Sequence, residues 1–311
     1  MGLSAANMDV SWNEACEMLR DLRDTSVRDS ELVVDLGEKL IRKHASKLHD
    51  EVWLICEQVF IASIDICRFD VAEMCLDKLR DNFPHSARVR KLEAMGLEAQ
   101  GKFEDAKDIY DQMEKEDETD AAIRKRKIAL LKAQGKTTDA VKSLTNYLQT
   151  FMADQEAWME LAELYIKLLD YKKAAFCLEE LILANSFNHL YHQRYAEVMY
   201  SMGGGENHEI ARQYFAQAVK LSSNTNIRAL YGLLLTSAKL PTTKVKNSKQ
   251  HASWAAKTIS AKYENVWCTG NATDAGYSES KITPKKDLPQ LTASVERMMG
   301  QLSLGTESSE N

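Results

Sequence analysis

Helix breakers are scarce in this sequence. Four prolines and thirteen glycines in 311 residues are too few for a turn-rich β sandwich or barrel, so the chain reads as all-helical. Long hydrophobic runs are missing too. The most apolar stretch, Val52 to Cys67, contains Glu57, Gln58 and Asp65 and falls short of the roughly 18 to 20 apolar residues of a membrane span. The opening MGLSAANMDVSW lacks the basic and apolar regions of a secretory leader, and Ala6 stands where a myristoylation motif takes Ser or Thr. There is no cationic surplus: 40 Lys and Arg face 46 Asp and Glu, a net charge of -6, which opposes a general nucleic-acid binder. Together these absences predict a soluble intracellular protein with no membrane span of its own, in which the sequon Asn271-Ala272-Thr273 goes unused.

Catalytic and metal-binding signatures are equally sparse. No phosphate loop, nucleophile elbow or paired-carboxylate motif occurs. The six cysteines (16, 56, 67, 75, 177 and 268) form no Cys-x-x-Cys pair, and most fall on apolar helix faces, where a thiol packs as a small hydrophobe. His189 and His192 can share a helical face but have no third ligand nearby in sequence. Glu179-Glu180 and Glu156, Glu160 and Glu163 read as solvated helix faces. The expectation is a protein that is not an enzyme and takes no cofactor or metal.

What the sequence does have is a period. Ala72, Ala106, Ala140 and Ala174 stand 34 residues apart. Four residues after each come Leu76, Tyr110, Leu144 and Leu178, and three further on Leu79, Met113, Tyr147 and Leu181, which makes one apolar stripe of a helix. Pro84 marks the end of the first such helix. Trp158-x-x-Leu161-Ala162-x-x-Tyr165, with Ala174 and Leu178, resembles the tetratricopeptide repeat, a 34-residue helix-turn-helix unit. The break at Leu169-Asp170-Tyr171 is then the turn inside a repeat. The small alanine lets two antiparallel helices approach, and Phe69, Phe103 or Tyr171 fills the corner.

The fold expected is an all-α, right-handed superhelical tetratricopeptide-repeat solenoid with N-terminal capping helices and a C-terminal helix. Residues 1–52 are the N-terminal capping helices, with Ser11 and Asp29 or Ser30 as N-caps. Residues 53–225 hold repeats at 53–86, 87–120, 121–154, 155–188 and 189–225. The last contains Ala211 and needs a three-residue insertion at Gly203-Gly204-Gly205. Residues 226–263 form a degenerate repeat and C-terminal cap. Residues 264–286, rich in Ser, Thr, Gly, Asn and Lys, read as a flexible linker. Residues 287–311 read as an amphipathic helix (Leu288, Leu291, Val295, Met298, Leu302) with a polar tail.

In a solenoid the first helices of successive units line the concave face, so function is sought there. Arg88-Val89-Arg90-Lys91 and Arg124-Lys125-Arg126-Lys127, with Lys132 one turn on, give a cationic stretch; Glu156, Glu160 and Glu163 follow in the next unit. At about 100° per residue, four consecutive cations cannot all face one groove. The protein-binding candidates are therefore Lys91, Arg124, Lys125, Arg126, Lys132, Glu163, Arg194 and Tyr200, with Lys127 and Ile128 turned toward the packing side. The repeat-packing candidates are Ala72, Ala106, Ala140, Trp158, Leu161, Ala162, Tyr165, Ala174 and Ala211. The competing reading of the charges is a solvated face balancing the acidic run Glu114 to Asp120.

A narrower resemblance rests on longer segments. HASKLHDEVWLICEQV (44–59), RKRKIALLKAQGK (124–136), DQEAWMELAELYIKLLDYKKAAFCLEEL (154–181), NHLYHQRYAEVMYSMGG (188–204), ARQYFAQAVKL (211–221), RALYGLLL (228–235) and ASWAA (252–256) resemble the family of subunit 2 of the endoplasmic reticulum membrane protein complex. The similarity runs from about residue 11 to about residue 262, and the fifth unit departs from the repeat pattern with His192 where the preceding unit has Trp158. The resemblance implies a non-catalytic scaffold on the cytoplasmic side of the endoplasmic reticulum. It would be a peripheral member of a hetero-oligomer, binding membrane and soluble subunits in a machine that inserts tail-anchored and multi-spanning membrane proteins. The alternative is a generic repeat adaptor or chaperone co-factor that grips a peptide in its groove. Such a clamp needs asparagines among the cations, and Arg124 to Lys127 has none.

Overall fold

The structure, a computed structural model, describes residues 11–239 and 248–269. Among these the regular elements are fourteen α-helices and one short 3-10 turn, with no strand. The chain divides into two compact units, residues 1–143 and 144–311.

The first unit contains α1 (Trp12–Asp24), α2 (Ser30–Lys43), α3 (Glu51–Asp65), α4 (Phe69–Asn82), α5 (Ala87–Ala99), α6 (Phe103–Glu116) and α7 (Ala121–Ala133), and the division between units falls inside α8 (Thr137–Thr150). Within it each helix from α1 to α7 packs on the next, and α3 also meets α5. Ser11 starts α1 with a capping box: its hydroxyl accepts from the Glu14 N–H while the Glu14 carboxylate accepts from the Ser11 N–H. Asp29 caps α2 through the Leu32 N–H, and Ser30 is the first helical residue. Leu19, Val34, Leu40, Ile41, Ile55 and Phe60 are the large side chains of one continuous core across α1 to α5.

The second unit contains α9 (Gln155–Lys167), α10 (Tyr171–Ala184), α11 (His189–Met202), α12 (Gly205–Leu221), α13 (Ile227–Lys239) and α14 (Ser248–Thr269). Again each helix packs on the next, and α11 also meets α13. Ala255 and Ile259 of α14 are fully buried. This helix runs six residues into the 264–286 segment read as a linker, because Ser248 to Thr269 contains neither Pro nor Gly to end it. The remainder of that segment and the amphipathic helix read at 287–311 lie outside the described residues.

The 34-residue period is written into the backbone. Second helices start at Phe69, Phe103, Thr137, Tyr171 and Gly205, and first helices at Ala87, Ala121, Gln155 and His189. Asp120, Asp154 and Asn188, each just before a first helix, cap it by accepting backbone N–H groups with their side chains. Between the helices of each repeat the chain passes through the left-handed region, at Cys67 (φ 58), Gly101 (77), Gly135 (73), Leu169 (61) and Gly203 (74). In the first four the next residue donates its N–H five residues back, to Ser63, Leu97, Leu131 and Tyr165, closing a Schellman turn. The helix before Leu169-Asp170-Tyr171 stops because Leu169 turns left-handed.

The fifth repeat absorbs its extra residues differently from the expected insertion. Gly203 and Gly204 both have positive φ and make the turn, whereas Gly205 already belongs to α12, which has 17 residues against 14 in α10. The three additional residues therefore lengthen the second helix at its start. This carries Ala211 to 37 residues after Ala174 while leaving it fully buried.

Candidate protein-binding surfaces

Packing positions come first, since they hold the surfaces in place. Ala106, Ala140, Ala174 and Ala211 are 0 % exposed and Ala72 is 5 %, and at such a contact a larger side chain has no room. Leu161 and Ala162 are buried. Trp158 is half-buried, its Nε1–H donating to the Met152 carbonyl at 2.9 Å and its ring edge-on to Phe176. Tyr165 is half-buried with the Lys173 ammonium 5.4 Å from its ring centre. Cys16, Cys56, Cys75 and Cys177 are buried thiols, and Cys67 is exposed in its turn. His192 is buried, bonded through Nε2 to the Ser186 carbonyl and stacked on Tyr214, while His189 meets Asn226.

The charged residues organise into cross-repeat pairs that sequence reasoning missed. A Glu on one first helix meets an Arg 31 residues later on the next first helix: Glu57 with Arg88, Glu163 with Arg194, and Glu197 with Arg228. Thirty-one is one repeat less about one helical turn, so the two side chains sit side by side on adjacent first helices. In each case the guanidinium uses Nε and Nη2 on the two carboxylate oxygens. The distances are 2.9 and 2.6 Å for Arg88, 2.8 and 2.6 Å for Arg194, and 2.6 and 3.3 Å for Arg228. This fork geometry is the stronger form of ion pair. The signal is present in the sequence as Glu and Arg recurring at 31, a spacing masked by the stronger 34-residue period of the alanines.

The cationic stretch of the first unit is largely engaged with its own unit. Arg124 lies 3.4 Å from Glu114, Arg126 lies 3.5 Å from Glu98, and the Lys127 ammonium is shared by Asp111 and Glu114 of α6. Ile128 is buried. Lys125 is half-buried and Lys132 exposed on α7; Lys91 on α5 is half-buried and makes no ion pair among the described residues. Burial pushes Glu98 above the ordinary carboxylate range, an effect partly offset by Tyr110 and Arg126 beside it. The same desolvation, with Glu98 adjacent, raises the Tyr110 hydroxyl.

In the second unit Glu163 pairs with Arg194, and Arg194 and Tyr200 of α11 line one cavity together with Phe215 of α12. Arg194 also donates to Glu197 at 2.8 Å, and Tyr200 packs against His208 with the Lys239 ammonium 4.4 Å from its ring centre. Among the described residues no three His, Cys, Asp or Glu side chains are placed to hold a metal ion, and no helix is long and apolar enough to cross a membrane.

Paired helices of 34-residue period, left-handed turns in register and alanine contacts define a tetratricopeptide-repeat protein. A solved structure of the same class, the C-terminal part of a TPR repeat-containing protein from Cytophaga hutchinsonii, is similar in fold with a TM-score of 0.56 at 13% identity, covering 81% of this chain and 95% of that one. The EMC2 TPR-like repeat domain model matches residues 66–208. ER membrane protein complex subunit 2-A of Xenopus laevis is 46% identical over 92% of this chain and 97% of its own length. The subunit 2 of Dictyostelium discoideum is 32% identical over 76% and 77%. The chain belongs to the ER membrane protein complex subunit 2 family.

Proposed function

We propose that this chain is a non-catalytic scaffold subunit of the endoplasmic reticulum membrane protein complex, seated peripherally on the cytoplasmic face. There it holds the cytosolic portions of membrane subunits and a soluble partner subunit, supporting insertion of tail-anchored and multi-spanning membrane proteins. The observation that carries this reading is the 46% identity over nearly the whole chain with a frog protein named as a subunit of that complex. The fold supports it, because within each unit adjacent first helices lie side by side, α3 against α5 and α11 against α13, and carry Glu–Arg pairs between them, the kind of face repeat proteins use for extended partners.

Purification of the tagged chain from cells in mild detergent tests the reading. A stoichiometric set of membrane subunits is expected; Hsp70 or Hsp90 alone would favour the peptide-gripping adaptor instead. Alkaline carbonate should release the chain from microsomes and external protease should digest it. Full protection from that protease would place it in the lumen and overturn the proposal.

A further inference from the structure

The fourth repeat keeps apolar side chains on the solvent side of its second helix. Phe176 and Leu183 of α10 are 55% and 79% exposed, and Phe187, in the turn that follows, is 82% exposed. Leu183 stands where the three preceding repeats have Asp81, Lys115 and Gln149, and Phe187 where they have His85, Thr119 and Ala153. The repeat frame therefore does not require large apolar residues at these places. The exposed Met152 and the Trp158 ring, which meets Phe176 edge-on, extend the same surface. An apolar patch of this kind marks a contact.

A matching occupant lies in the same chain. Leu288, Leu291, Val295, Met298 and Leu302 recur at alternate spacings of three and four residues, which makes one narrow apolar stripe. Phe176 and Leu183 are seven residues apart, the spacing at which such a stripe returns to the same face. Length permits the contact. α14 ends at Thr269, so the 18 residues 270–287 precede Leu288 and reach about 60 Å when extended. From α14 to α10 there are four helix-to-helix steps, each about 8 to 10 Å. Charge agrees in sign: α10 carries Glu179 and Glu180 between Phe176 and Leu183, and residues 285–302 carry Lys285, Lys286 and Arg297 against Asp287 and Glu296. A segment tethered in this way acts at an effective concentration on the order of mM, which favours it over a free partner. The end of the array offers no equal surface, since on the described part of α14 the exposed large hydrophobic is Trp254 alone.

We propose that residues 288–302 fold back onto the exposed face of α10, seating their leucine, valine and methionine side chains against Phe176, Leu183 and Phe187. The contact covers apolar surface that a second copy or a membrane would otherwise meet. Both halves of it belong to this chain, so it does not depend on the assembly reading above.

The test places p-benzoylphenylalanine, a photoreactive analogue of phenylalanine, at Phe187 of the full-length chain, both alone and in its purified complex. The aromatic ring is kept, and the bond to the Asn185 side chain is made by the Phe187 backbone N–H, so the turn is undisturbed. After illumination, mass spectrometry of the digested protein should find residue 187 joined to a peptide from 288–302, in a product that runs as a single chain on a denaturing gel. Val295→Asp should abolish this product. Leu183→Asp, at an exposed position, should abolish it as well, in each case with the helical circular dichroism signal retained. A product joined to a second copy, to another subunit or to lipid overturns the proposal. So does a 288–302 product that survives both substitutions, or the absence of any product.

Discussion

Glu163 and Arg194 hold one another across consecutive repeats through two hydrogen bonds of 2.8 and 2.6 Å. Both were candidates for binding a partner, and each now also has a neighbour within the fold to satisfy. Exposed pairs of this kind contribute about 0.2 to 1 kcal/mol. Arg194 additionally bonds Glu197, so the two ends are unequal. Glu163→Ala should lower stability by a few tenths of a kcal/mol, and Arg194→Ala by about 1 kcal/mol, because it leaves Glu197 with Arg228 as its remaining cation. A double-mutant cycle by denaturant unfolding measures the coupling; a value near zero would mean that both side chains are free to serve a partner.

Leu169 occupies a left-handed position that the matching turns at 101, 135 and 203 give to glycine. The side chain is 70% exposed, so little burial is lost by removing it, while an L-residue in this region costs about 1 to 2 kcal/mol. Against that stands glycine's larger loss of freedom on folding, about 0.5 to 1 kcal/mol. Leu169→Gly should therefore stabilise by about 0.5 to 1 kcal/mol, and Gly135→Leu, where a Cβ meets nothing, should cost a similar amount. Thermal melts of the two variants moving in the same direction would contradict this account.

The repeat frame was legible because its cause is local and repeats: alanine and large apolar residues at fixed spacing appear in the sequence as they do in the packed helices. Leu169 shows where legibility ended. A leucine carries no turn signal, and its left-handed φ follows from the Schellman geometry that the repeat imposes. Charge was harder still. Arg126 looked like one of four surface cations, yet its partner Glu98 lies 28 residues earlier on another helix, a pairing that only the relative rotation of α5 and α7 decides. The cavity over Phe215 was invisible for the same reason, although Tyr200 and Arg194, which line it, had been singled out.

Ala140 is fully buried in α8, at the same place in its repeat as Ala106 and Ala174. Leucine adds three carbons with no space to receive them, and overpacking of this kind costs about 1 to 3 kcal/mol. Ala140→Leu, Ala106→Leu and Ala174→Leu should each lower the melting temperature. If all three melt as the unaltered chain does, these alanines are not the contact points of the repeat.

Glu98 supplies the pH dependence. Its pKa is raised, chiefly by burial, so the folded protein binds a proton here more tightly than the unfolded chain. The sign follows: stability falls as pH rises from the ordinary carboxylate range through the raised value, because above it a charged group is held in a desolvated place. Glu98→Gln removes that charge and should melt at a progressively higher temperature than the unaltered chain as pH increases from 4 to 7. Arg126→Glu should behave in the opposite way at neutral pH, setting a second carboxylate beside Glu98 and destabilising the unit. Reversal of the cationic face is therefore better made at Lys91 and Lys125 alone. That double variant should keep its melting temperature within about 1 kcal/mol of stability while losing membrane subunits from the purified complex. A difference between Glu98→Gln and the unaltered chain that stays constant with pH would show that Arg126 and Tyr110 fully compensate the burial of Glu98.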